Sequence, residues 1–234
     1  MRLPYHNDMS ISRQPVADVL PSEPELLDQG SMELEKGPKA RTRRLMLDCA
    51  IQLMQNGITP SVSYVSEEAG VSRATAYRYF PNQAALVQQV IKHALGPIMV
   101  WRSSAEDVEV RVTELLEFSM PRIEAFEATF RAVLQLSLVQ MAQRTAGTLD
   151  ESEYQFKRGH RIALLARALE PLCGTIPDED YQQLLNGLSV IFGIEAIAVM
   201  KDINGIASPK TTELVVWAAQ AMVRQTLRKQ EDAS

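Results

Sequence analysis

The chain is 234 residues long, 46% hydrophobic and 23% charged, with a net charge of −5. That suits a globular protein with a real core, and its longest nearly unbroken apolar run, Leu188 to Met200, carries Ser189 and Glu195 and is shorter than the roughly 20 residues a membrane span needs. Two cysteines build no disulfide framework, and no apolar stretch follows the early arginine, so a cytoplasmic protein without a secretory signal is expected.

Residues 1–38 hold five of the twelve prolines and no sustained apolar period, and this acidic arm is expected to be disordered. Charge is segregated along the chain. Residues 1–35 and 96–234 are each net −5, while residues 36–95 carry eight basic and three acidic side chains, net +5, so only that segment is suited to approach a polyanion.

A first helix is predicted from Lys39 to Asn56, closed by Gly57, with Met46, Leu47, Ala50, Leu53 and Met54 on one buried face. Lys39, Arg41, Arg43 and Arg44 crowd its first turns, where cations oppose the helix dipole. Phosphate contact accounts for them, with a solvated charge run as the alternative. Two short helices then fold around a tight turn, one capped by Ser61, the other by Ser72. Gly70 is the pivot, since it takes a left-handed backbone without a Cβ clash. Val65, Ala69, Val71 and Phe80 close the pair, leaving Arg73, Thr75, Tyr77, Arg78 and Tyr79 outward, a surface suited to phosphates and base edges. After Pro81 and Asn82 a fourth helix carries Leu86, Val87, Val90, Ile91, Ala94 and Leu95 in one stripe and meets Gly96 and Pro97.

From Ala105 onward every segment has helical period. Val108 to Ser119 forms one helix, and Ile123 to Leu138 a second beyond Pro121. A third spans Glu151 to Glu170, a fourth Asp178 to Asp202, and the last Ser208 to Gln230. The last two are apolar around more than one face, as Leu188, Phe192, Leu214, Trp217 and Ala221 illustrate. Such helices must be covered on both sides, by a two-fold partner or by an intramolecular core. Ser137, His160 and Glu195 are polar residues among apolar neighbours, and Trp101, Phe118 and Phe130 offer pocket walls. For His160 a hydrogen-bonded core or surface role is the plainer reading, and for Glu195 an arginine partner or the dimer seam. His6, His93 and His160 are scattered, no Cys or His spacing matches a metal site, and glycine-rich phosphate loops and nucleophile elbows are missing from the sequence. Neither an enzyme nor a bound cofactor or metal is expected.

The stretch AGVSRATAYRYFPNQAAL, preceded by an arginine-rich helix, resembles the DNA-binding region of the TetR family of bacterial one-component regulators. The resemblance covers roughly Lys39 to Leu95, and the Tyr77-x-x-Phe80-Pro81 ending makes it specific. It implies an all-α protein with an N-terminal three-helix helix-turn-helix domain and a C-terminal helical domain for ligand binding and dimerisation. Domain limits of 39–95 and 96–234 follow. The resemblance also implies that Arg73 and Thr75 face base edges, that Tyr77 and Tyr79 contact the backbone or a base, and that Ser61 touches phosphate. Gln83 stands where the family usually has a lysine, and Ala76 where a larger aliphatic residue is usual. The function implied is a ligand-responsive repressor that binds a palindromic double-stranded DNA operator as a homodimer, answers to a small-molecule effector, and has no membrane partner. Activation or architectural DNA binding is the alternative within that class, and a helical protein-interaction or carrier module the alternative outside it.

Overall fold

The computed structural model describes residues 37–149 and 160–232, all helix and connection with no strand among them. The arm foreseen for residues 1–38 falls almost wholly outside these residues, as does the first part of the segment foreseen from Glu151.

Helix α1, Pro38–Gln55, starts on a proline, whose missing N–H costs nothing in a first turn. It buries Met46, Leu47, Ala50, Ile51 and Met54; Leu53 is only half-buried, and Ile51 takes the inner position expected of it. Helices α2, Val62–Glu68, and α3, Arg73–Tyr79, follow. Helix α4, Gln83–Met99, does not end at Leu95 but passes through Gly96 and Pro97. Likewise α5, Val108–Ala125, runs through Pro121, and the break expected there falls at Phe126, from which α6, Glu127–Thr145, departs. Both prolines lie on exposed sides of their helices, where the carbonyl that loses its N–H partner is not sealed in the core.

Helix α7, His160–Ala168, leads into a short 3-10 turn, Glu170–Leu172. The single helix expected from Asp178 to Asp202 is divided into α8, Asp178–Ile191, and α9, Ile194–Ala198, which continues as a π-helical turn, Val199–Ile203. The axis bends by 49° between them. The cause is local: Phe192 is extended at ψ 111°, and Gly193 sits at φ 127°, a conformation few side chains tolerate. Helix α10, Lys210–Asp232, closes the chain. No single helix among the described residues is long and apolar enough to cross a membrane.

Two apolar cores result. Met46, Leu47, Ala50, Met54, Val62, Val65, Ala76, Phe80, Leu86, Val87 and Val90 form the first, from α1 to α4. The second joins α5, α7, α8, α9 and α10. Helix α4 enters both, since its last turns give Ile98 and Met99 to the second core. Helix α6 bridges as well: Ala132, Val133 and Leu136 pack on the first core while Phe130 and Leu134 pack on the second.

Arginines close the open ends of helices, whose last carbonyls lack intrahelical donors. Buried Arg111 on α5 donates to the Arg167 and Ala168 carbonyls at the end of α7, at 2.7 and 3.0 Å, and pairs with Glu170 at 3.0 Å. Arg167 in turn donates to the Met99 and Trp101 carbonyls, both at 3.0 Å, and Arg161 to the Ser189 carbonyl near the end of α8 at 3.0 Å.

Candidate nucleic-acid interface

Ser61 caps α2 by accepting from the Tyr64 amide at 3.1 Å, and Val62 and Val65 then turn inward. The far end of α2 is closed by two backbone bonds, Gly70 N–H to the Glu67 carbonyl (3.1 Å) and Val71 N–H to the Ser66 carbonyl (2.8 Å), with Gly70 at φ 64°. This is the Schellman arrangement, which requires a left-handed residue at that point. It delivers the chain directly to Ser72, whose Oγ accepts from the Thr75 amide at 3.3 Å and donates to Thr75 Oγ1 at 2.9 Å. Ala76 and Phe80 are buried beneath α3. The turn is thus closed from both sides, and the orientation of α3 is fixed by bonds local to it.

The outward residues of α3 are partly engaged with α2. Arg73 donates to Glu67 at 2.6 Å, and the Tyr77 hydroxyl lies 3.2 Å from Ser63 Oγ. Glu67, Arg73 and Tyr77 are exposed and Ser63 is half-buried. An exposed ion pair is weakened by water and salt, so a phosphate or base edge can displace it at little cost. Arg78 is exposed with its guanidinium 5.5 Å from the Tyr79 ring centre. Tyr79 itself is half-buried against the first core, so much of its ring serves packing. At the start of α1, Lys39, Arg41 and Arg44 are exposed and Arg43 is half-buried; Arg44 lies 4.0 Å from Asp48. Gln83 donates to the Pro60 carbonyl at 3.1 Å and ties α4 to the loop before α2, while Asn82 caps α4 by accepting from the Ala85 amide at 2.8 Å.

Sequence reasoning missed the Glu67–Arg73 and Ser63–Tyr77 pairs. The residues are six and fourteen positions apart across the turn, so helical period gives no signal for either.

The residues expected around an effector are not gathered at one place. Trp101 and Phe118 line a groove of about 560 Å³ with Pro97, Val100, Ser103 and Glu117, where α4 gives way to α5. Phe130 packs on the second core, and Ser137 turns its hydroxyl back to the Leu134 carbonyl at 2.8 Å. His160 is exposed at the start of α7. Glu195 accepts from Arg161 at 2.5 Å, which is the plainer role foreseen for it.

Of the five residues expected at a subunit seam, Leu188 and Phe192 are buried in the chain's own core. They face inward because α8 packs on α7 and α10, and the outward row of α8 is instead Gln183, Asn186 and Val190. Leu214 is half-buried, Ala221 is exposed, and Trp217 is 69% exposed.

Comparison with known proteins singles out the same lobe. Residues 47–90 match the bacterial regulatory proteins of the tetR family. The HTH-type transcriptional repressor LfrR of Mycolicibacterium smegmatis is 33% identical over 63 residues, which is 27% of this chain and 33% of that repressor. The matched stretch thus spans about a third of the curated relative. Over this helix-turn-helix lobe, the chain is similar to the bacterial regulatory proteins of the tetR family.

Proposed function

We propose that the protein is a transcriptional repressor that binds a palindromic operator as a homodimer and is released by a small molecule. The observation that carries this reading is the outward face of α3: Arg73, Tyr77 and Arg78 are exposed and Thr75 half-buried, beside a basic α1, in a chain that is otherwise acidic. Arg73 and Thr75 at the start of α3 suit base edges in a major groove, and the α1 cations together with Ser61 suit phosphates. A seven-residue helix reaches few base edges alone, so a palindromic operator calls for a second copy. Support for that copy comes from α8 and α10, which pack on each other and leave Val190 71% and Trp217 69% exposed.

The groove lined by Trp101 and Phe118 is the best-supported place for an effector. It lies against the end of α4, the helix shared by both cores. A ligand that prefers a conformation in which the two recognition helices are wrongly spaced must weaken operator binding, and DNA must weaken ligand binding by the same factor.

The assembly is tested by Trp217→Glu. Burying that carboxylate unpaired at a seam costs several kcal/mol, so sedimentation should find monomers, and operator affinity should fall far more than affinity for unrelated duplex. A variant that remains dimeric and binds its operator normally removes α10 from the interface.

A further inference from the structure

Helix α4 carries a defect and a repair. Pro97 has no N–H, so the His93 carbonyl four residues earlier loses its helical donor. Arg122 of α5 supplies donors at this point: its Nη2 bonds the His93 carbonyl at 2.9 Å and its Nε the Ala94 carbonyl at 2.6 Å. The same guanidinium lies 5.0 Å from the ring centre of Phe126, and His93 meets that ring edge-on at 6.0 Å. Phe126 is where α5 ends and α6 begins, and it packs on the core of the DNA-binding lobe. One side chain therefore joins the proline turn of α4, the α5–α6 corner and, through Phe126, the lobe that carries α3.

We propose that Arg122 is a positioning residue for operator binding: it replaces the hydrogen bond that Pro97 deletes and, by clasping α4 to Phe126, fixes the angle at which the DNA-binding lobe is presented. The guanidinium fork is required, because one planar group meets two carbonyls while lying over a ring, which an ammonium does not do. The clasp is at a seam between helices, so it sets orientation without touching DNA. This inference rests on the operator-binding reading above.

The experiment uses full-length wild type, Arg122→Gln, Arg122→Lys, Pro97→Ala and the Pro97→Ala/Arg122→Gln double variant. Urea midpoints are measured for each, together with affinity for the duplex that wild type selects from a random library and for a scrambled duplex of equal length. Arg122→Gln should weaken the selected duplex by roughly threefold to thirtyfold and leave the scrambled one unchanged. Arg122→Lys should recover only part of that loss. Pro97→Ala returns an N–H to the His93 carbonyl, so adding Arg122→Gln to it should shift the urea midpoint by less than half as much as in wild type. Equal effects of Arg122→Gln with and without Pro97 overturn the clasp, and an equal loss on both duplexes overturns the positioning role. If wild type selects no DNA at all, the operator reading fails and the positioning role with it, and that outcome is recognisable because the urea coupling between positions 97 and 122 persists.

Discussion

Ser72 uses its hydroxyl twice, accepting from one end of Thr75 and donating to the other, and so holds both the first turn of α3 and the rotamer of a residue on its outer face. Ser72→Ala should cost about 1 kcal/mol of stability, read as a lower urea midpoint, and should blunt sequence preference by freeing Thr75. An unchanged midpoint would show that the cap contributes nothing. His93 gives a pH signature. Burial first, and the Arg122 cation second, with a smaller share from Arg44 against the opposing pull of Asp48, hold its pKa below the ordinary 6.5. The unfolded chain therefore takes up this proton more readily. The contribution of His93 is neutral above pH 6.5 and turns destabilising as pH falls from 6.5 toward the lowered folded value, where it levels off. Urea midpoints of wild type and His93→Gln should accordingly converge near pH 7.5 and separate below pH 6, with wild type losing more. Parallel curves across that range would contradict it. Caps such as Ser61 and Ser72 were legible in the sequence because their partners lie three residues away. Arg111, Arg122 and Arg167 were not, since each serves carbonyls of a distant helix and nothing in local spacing marks them.

At the level of elements, glycine and proline had to be judged in context. Gly70 ends a helix as its sequence neighbourhood suggests, because Val71 and Ser72 immediately offer a new apolar anchor and a cap. Pro97 and Pro121 do not end theirs: each stands on an exposed side, and at Pro97 a distant arginine supplies the missing donor. Gly193 has the opposite history, being read as part of one long apolar helix although it breaks that helix. Its φ of 127° and the 3.0 Å that would separate a Cβ from Arg161 Nη2 make the position a glycine site. Gly193→Ala should lower stability by about 1–3 kcal/mol through backbone strain and displacement of the Arg161–Glu195 pair, as measured by urea denaturation. A neutral substitution would mean that the α8–α9 bend relaxes freely.

Across the whole molecule, the all-α plan and the place of the helix-turn-helix were evident from helical period, turn chemistry and charge segregation, because these depend on neighbours in sequence. Which face of α8 looks outward was not evident. Leu188 and Phe192 are as apolar as any seam residue, and only the packing of α7 and α10 shows that they belong to the chain's own core. The same packing leaves Trp217 and Val190 as the exposed apolar residues of that region.

The most direct test of the central claim, that the outer face of α3 reads DNA sequence, is selection of duplexes from a random library by the full-length protein, with Arg73→Ala/Thr75→Ala alongside it. Wild type should enrich a motif of two inverted half-sites about one helical turn apart or at a longer spacing that keeps both recognition helices on accessible major grooves, and the double variant should retain salt-dependent duplex binding while losing the motif. No enrichment by wild type, or the same motif from both proteins, would contradict the account.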